Sequence, residues 1–96
     1  MSKSLGRGKI DTALATLPGW ACKRDALEKT FTFGDFRGAM GFMFRISFEA
    51  EAMNHHPDWR NVYNRVVIRL ATHDAGGKVT AKDVELARRI EAISWV

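Results

Sequence analysis

The chain has three histidines, and their placement is its most informative chemical feature. His55 and His56 are adjacent and are followed by Pro57, which disfavours helical geometry at His56, so the pair marks a point where a helix must stop. His73 lies beyond an alternating segment that reads as a strand. Between them, Asn61-Val62-Tyr63-Asn64-Arg65 predicts a tight reversal. A hairpin there returns His73 towards the His55/His56 corner, so that three imidazoles share one cleft. Imidazole changes charge near neutral pH, and such a cluster can deliver and remove protons. Glu51 stands four residues before His55; if the helix runs that far, the two share a face and can hydrogen-bond. The carboxylate would then orient His55, raise its basicity or touch a ligand. The plainer alternative is an exposed pair worth ~0.3–0.5 kcal/mol or less.

Other chemistries find less support. Zinc ligands are usually spaced two or more residues apart, on one helix face or across a knuckle. Adjacent His55 and His56 point in different directions, with neither a cysteine pair nor a His-Glu-x-x-His helix beside them, so no metal is expected. Gly76-Gly77 lacks the surrounding motif of a phosphate loop. No nucleophile elbow accompanies the histidines. Cys22 reads as a small strand residue, and Asp83 as a helix cap.

The elements that must carry these residues follow from hydropathy. Residues 1–9, rich in Gly, Ser and basic side chains, read as a flexible arm ahead of a single domain over 10–96. Ile10, Ala13, Leu14 and Leu17 recur at helical spacing up to Pro18-Gly19. Trp20–Lys23 and Leu27–Phe33 read as two strands joined through Arg24-Asp25. In the second, Leu27, Phe31 and Phe33 fall on one face and Glu28, Thr30 and Thr32 on the other, with Lys29 an exception on the apolar side. Gly34 to Asn54 is helical, its core stripe read as Phe36, Ala39, Met40, Met43, Ile46, Ser47 and Ala50. Phe42, Phe44, Phe48 and Met53 widen the apolar arc well beyond the roughly 100° of an ordinary surface helix. A second buried face, against another subunit, is the expectation.

Asp58–Tyr63 and Arg65–Thr72 form the second strand pair, with Val66, Ile68 and Leu70 inward. Thr80-Ala81-Lys82-Asp83 is a capping-box variant, with Val79 and Val84 as its hydrophobic staple, opening a final helix that buries Val84, Leu86, Ala87, Ile90 and Ile93. The order α-β-β-α-β-β-α implies an α+β fold, a four-stranded antiparallel sheet with helices gathered on one face.

Composition sets the outer limits. A 96-residue chain is one domain with a modest core, which association would enlarge. A single cysteine excludes an internal disulfide and fits a reducing compartment. No apolar run approaches the ~20 residues that span a bilayer, and the start carries no hydrophobic signal region, so the cytoplasm is expected and a membrane is not. The net charge of +4 comes from dispersed Lys and Arg, without the aromatic interleaving of a single-strand binder, so no direct nucleic-acid binding is expected.

Taken together, Glu51-x-x-x-His55-His56-Pro57-x-Trp59-x-Asn61-Val62-Tyr63-Asn64, then Thr72-His73-Asp74 and Asp83, resemble the signature of the pterin-4a-carbinolamine dehydratases. Gly19-Trp20, Phe31-x-Phe33-x-Asp35-Phe36, Gly41-Phe42-Met43 and Leu86-Ala87 extend the resemblance to all but the first nine or so residues. It implies dehydration of a 4a-hydroxytetrahydropterin to the quinonoid dihydropterin, without redox cofactor or metal, in tetrahydropterin recycling. His55, His56 and His73 would be catalytic together with Glu51. Asn54, Pro57, Thr72 and Asp74 would join the histidines in holding the pterin. His55 and His73 are favoured as acid and base across the two faces of the substrate, with His56 positioning it. The resemblance also implies a homodimer or homotetramer formed through the long helix. Its alternative is a protein-interaction module, a transcriptional dimerisation cofactor that uses the same helical surface.

Overall fold

Period-two patterning in two segments becomes two hairpins of one sheet. In the computed structural model, which describes residues 3–93, β1 (Ala21–Lys23) and β2 (Ala26–Thr32) form the first hairpin, and β3 (Asp58–Val62) and β4 (Arg65–Leu70) the second. The strands run antiparallel in the order β1-β2-β4-β3. Helices α1 (Arg7–Leu14), α2 (Phe36–Met53) and α3 (Ala81–Ile93) complete the expected α-β-β-α-β-β-α order, with a single 3-10 turn at His73–Ala75. Residues 1 and 2 of the expected arm, and 94–96 of the expected domain, lie outside the described residues. The rest of that arm is partly structured. Helix α1 begins at Arg7, and the Leu5 N–H donates to the Val79 carbonyl at 2.8 Å.

Each hairpin is closed by local chemistry. Arg24 and Asp25 both have positive φ (50° and 66°), as a two-residue loop matched to strand twist requires. In the second turn the Asn61 side-chain amide donates to the carbonyls of Tyr63 and Arg65 at 3.1 and 3.0 Å. The Asn64 amide donates to the Phe33 carbonyl at 2.9 Å, which ties this turn to the end of β2.

One face of the sheet carries the core. Leu27, Phe31, Val66, Ile68 and Leu70 are buried against Ile10 and Ala13 of α1, Ala39, Phe42 and Ile46 of α2, and Leu86, Ala87 and Ile90 of α3. Lys29 shares that face without burying a bare charge. Its Nζ donates to Glu91 Oε2 and to the Pro18 carbonyl, both at 2.7 Å, and the same carboxylate oxygen accepts from the Trp20 indole at 2.9 Å. The aliphatic stem covers apolar surface while the head is paired at the margin.

The buried stripe of α2 keeps Ala39, Ile46 and Ala50 of the one expected but is rotated towards Phe42. Ala39, Phe42, Ile46 and Ala50 are the buried positions, whereas Phe36 and Ser47 are exposed. Phe42 is drawn inward by Phe31 and Phe33, whose ring centroids lie 4.7 and 4.9 Å from its own. The helix is capped at its start by Asp35, whose carboxylate accepts from the Gly38 N–H at 2.8 Å.

Candidate active site

Helix α2 ends in a way that decides which histidine goes where. Asn54 takes the left-handed conformation (φ 51°, ψ 44°), tolerated by Asn better than by most residues. Its N–H donates to the Glu51 carbonyl, and the His55 N–H reaches back to Ala50, both at 3.0 Å. These two bonds are the Schellman pattern, which satisfies the last carbonyls and turns the chain off the helix axis. His55 therefore leaves the helical register, and the expected Glu51–His55 pair does not form. The i,i+4 relation needs a helix that continues through both residues. Instead His56 folds back, and its Nε2 lies 3.0 Å from Glu51 Oε1 on the exposed surface.

His55 turns inward and is only 8% exposed. Its Nε2 lies 2.6 Å from Oδ1 of Asp83, which is completely buried in the first turn of α3. The other carboxylate oxygen, Oδ2, accepts from the Thr72 hydroxyl at 2.7 Å and from the Thr80 N–H at 2.8 Å. The second of these closes the expected capping box, with Thr80 Oγ1 accepting in turn from the Lys82 N–H at 3.2 Å. A carboxylate surrounded by donors holds a proton on the imidazole nitrogen that faces it, Nε2, so in the neutral ring the lone pair lies on Nδ1. Nδ1 has no hydrogen-bond partner among the described residues. Since no fully buried side-chain nitrogen or oxygen among the described residues is left unpaired, Nδ1 opens to solvent.

His73 begins the 3-10 turn after β4, and its side chain is exposed. It directly follows Thr72, so the strand end that presents it is fastened to the same carboxylate that holds His55. Beyond Thr72 the chain loops through Gly76 and Gly77, with φ of 73° and 75°, and returns to bridge Thr72 with Lys78. Two consecutive positive φ values suit glycine and strain other residues. The hairpin thus brings the segments of His55/His56 and His73 to one corner of the sheet, while the three imidazoles keep distinct surroundings. His55 is buried and paired, His56 is exposed and paired, and His73 is exposed without a partner among the described residues. No group of three or more His, Cys, Asp or Glu side chains forms a possible metal site among the described residues.

Of the other expected site residues, Asn54 and Asp74 are exposed and Pro57 is half-buried, all in the connections around this corner. Thr72 is 4% exposed, with its hydroxyl committed to Asp83. Asp83 is the participant that spacing within the chain did not reveal. The capping box accounts for it locally, and its bond to His55 spans 28 residues.

The sequence pattern of the family described as Pterin 4 alpha carbinolamine dehydratase matches residues 3–93. The chain belongs to this family. The relatives agree with that assignment. A protein of Opitutus terrae provisionally named pterin-4-alpha-carbinolamine dehydratase is 68% identical over 96 residues, covering 100% of this chain and 99% of its own. One of Nitrobacter winogradskyi with the same provisional name is 54% identical over 86 residues, covering 88% and 84%. Among solved structures, the transcriptional coactivator/pterin dehydratase of Brucella melitensis superposes with a TM-score of 0.92 at 39% identity, covering 97% of this chain and 100% of its own. The chain is accordingly an enzyme of a dehydratase family. The dehydratase signature divides into two groups of residues on this fold. Glu51, His55, His56, His73 and Asp83 gather at one end of the sheet, whereas Asn61 and Asn64 build the turn at the other. No helix among the described residues is long and apolar enough to cross a membrane.

Proposed function

We propose that this chain removes water from a 4a-hydroxytetrahydropterin to give the quinonoid dihydropterin, as a step in tetrahydropterin recycling in the cytoplasm. The C4a–O bond breaks, and the electron pair of the N5–H bond closes the C4a=N5 double bond. One proton leaves N5 and one joins the departing hydroxyl, so the balance needs no oxidant, reductant or Lewis acid. The observation that carries the reading is the buried Asp83–His55 pair, because it supplies a base of defined tautomer beside exposed groups that can act as acid and clamp. In this reading Nδ1 of His55 takes the N5 proton, and the charged imidazole that forms is stabilised by Asp83. His73 supplies the proton to the hydroxyl. His56, oriented by Glu51, holds the heterocycle with Asn54, Pro57 and Asp74.

The purified chain should accelerate the dehydration of synthetic 4a-hydroxytetrahydropterin, followed by the absorbance of the quinonoid product. A rate equal to that in buffer alone would sink the proposal.

The exposed face of α2 supports a second reading that is compatible with the first. Phe44 and Phe48 are 66% and 61% exposed and stack edge to face at 5.0 Å. We infer that this face is buried by another chain, a second copy in a homodimer or homotetramer. A protein partner of the kind suggested by the coactivator name of the Brucella melitensis protein would use the same surface.

A further inference from the structure

Thr72 was expected to touch substrate, yet it has no polar atom left to offer one. Its N–H donates to the Lys78 carbonyl at 2.9 Å, and its own carbonyl accepts from Ala75 and Gly77 at 3.1 and 3.0 Å. Its hydroxyl donates to Asp83 Oδ2 at 2.7 Å and lies 2.6 Å from the Thr80 hydroxyl. The directions of these bonds can be assigned. The Lys82 N–H can only donate, so Thr80 Oγ1 accepts from it. Thr72 gives its proton to the carboxylate, so the Thr80 proton points to Thr72 Oγ1. The result is a one-way chain from the Lys82 N–H through the Thr80 and Thr72 hydroxyls to Asp83 Oδ2, with every hydroxyl both donating and accepting. All three side chains are at most 4% exposed, so no water is at hand to replace a missing member.

We propose that Thr72 and Thr80 are positioning residues for His55, acting through Asp83. Thr72 spans from the end of β4, and Thr80 from the start of α3, to the same carboxylate oxygen. Together they stop the carboxylate from rotating and keep Oδ1 aimed at His55 Nε2. The catalytic tautomer of His55 is thereby set by two hydroxyls that touch neither the imidazole nor the substrate. A helix cap alone would need only Thr80 and Asp83. Thr72 satisfies no backbone donor of the helix; beyond tying β4 to α3, its hydroxyl bears on the orientation of the carboxylate. The inference rests on the reading of His55 as the base.

Thr72→Val removes the hydroxyl at nearly constant volume. In the full chain it should lower kcat for 4a-hydroxytetrahydropterin about tenfold, the equivalent of one charge-assisted hydrogen bond, with KM close to that of wild type. Imidazole 15N NMR should show His55 as the Nε2–H tautomer in wild type and as a mixture in the variant. Thr72→Ser should restore both the rate and the tautomer. A folded Thr72→Val protein with wild-type kcat and an unchanged His55 signal overturns the inference, as does a loss confined to KM, which marks a substrate contact. If the valine variant does not fold, the wild-type spectrum still decides, because His55 found as the Nδ1–H tautomer contradicts the arrangement. His55→Ala separates the two layers. Full activity in that variant removes the base reading itself, whereas lost activity there beside an unaffected Thr72→Val removes only the role of the threonines.

Discussion

Asp83 closes the capping box of α3 through Oδ2 and holds His55 through Oδ1, so substitutions at this position can separate stability from catalysis. Asp83→Asn keeps an acceptor oxygen for Thr72 and Thr80 but turns an amide N–H towards His55 Nε2. That selects the opposite tautomer and removes the Nδ1 lone pair. The dehydration rate should fall about 10²-fold or more, while the urea midpoint moves little. Asp83→Ala removes both functions and strands buried donors, at a cost of about 1–3 kcal/mol for each group left unpaired. A wild-type rate in folded Asp83→Asn would mean that His55 is not the base. Glu51 offers the contrast. Its pair with His56 lies between side chains 80% and 59% exposed, so Glu51→Gln should leave stability within about 0.5 kcal/mol and show its effect in KM. At this scale the sequence displayed the histidines clearly and hid their partners. The capping relation of Thr80 to Asp83 is a spacing of three and can be read directly. The reach of the same carboxylate to His55 is a tertiary contact that no local spacing encodes.

At the scale of elements, the turn after α2 is what assigns His55 and His56 their different fates. A left-handed residue at Asn54 is required for the Schellman bonds, and an ordinary side chain there costs roughly 1–2 kcal/mol. Asn54→Ala should therefore lower stability in urea by about 1 kcal/mol, while Asn54→Gly should be close to neutral. Equal stability for the alanine and glycine variants would show that the turn is not held by backbone conformation. The strands were legible because one face of each is buried, which makes the period-two pattern strict. Lys29 broke the pattern because its partners, Glu91 and the Pro18 carbonyl, come from other parts of the chain. The long helix was legible as a helix, and Ala39, Ile46 and Ala50 as buried positions, but the inward turn of Phe42 was not. With apolar residues on more than half its circumference, only contact with Phe31 and Phe33 tells that Phe42 faces the core, leaving Phe44 and Phe48 to face outward.

At the scale of the whole molecule, that outward face is the feature a lone chain explains least well. Phe44 and Phe48 lie one helical turn apart and stack on each other in solvent. Gly41, one turn earlier, is exposed, and beyond the backbone of its own helix and its chain neighbours nothing lies within 4 Å of where a Cβ would sit, so another helix backbone can approach closely there. A large apolar patch on a small protein invites aggregation, whereas a two-fold contact hides the same patch on both copies with one set of residues. The surface therefore predicts that the wild-type protein elutes and scatters light as more than one 10.8 kDa chain. Phe44→Glu or Phe48→Glu places a carboxylate in that contact, where an unpaired buried charge costs several kcal/mol. Each variant should shift the mass towards a single chain or lower the thermal midpoint in a concentration-dependent way. Neither residue belongs to the histidine corner, so any loss of dehydratase activity should follow the loss of assembly and recover at high protein concentration. Light scattering that gives a single-chain mass for the wild type at micromolar concentration would show that these aromatics remain open to solvent, and the inferred contact would fall with it.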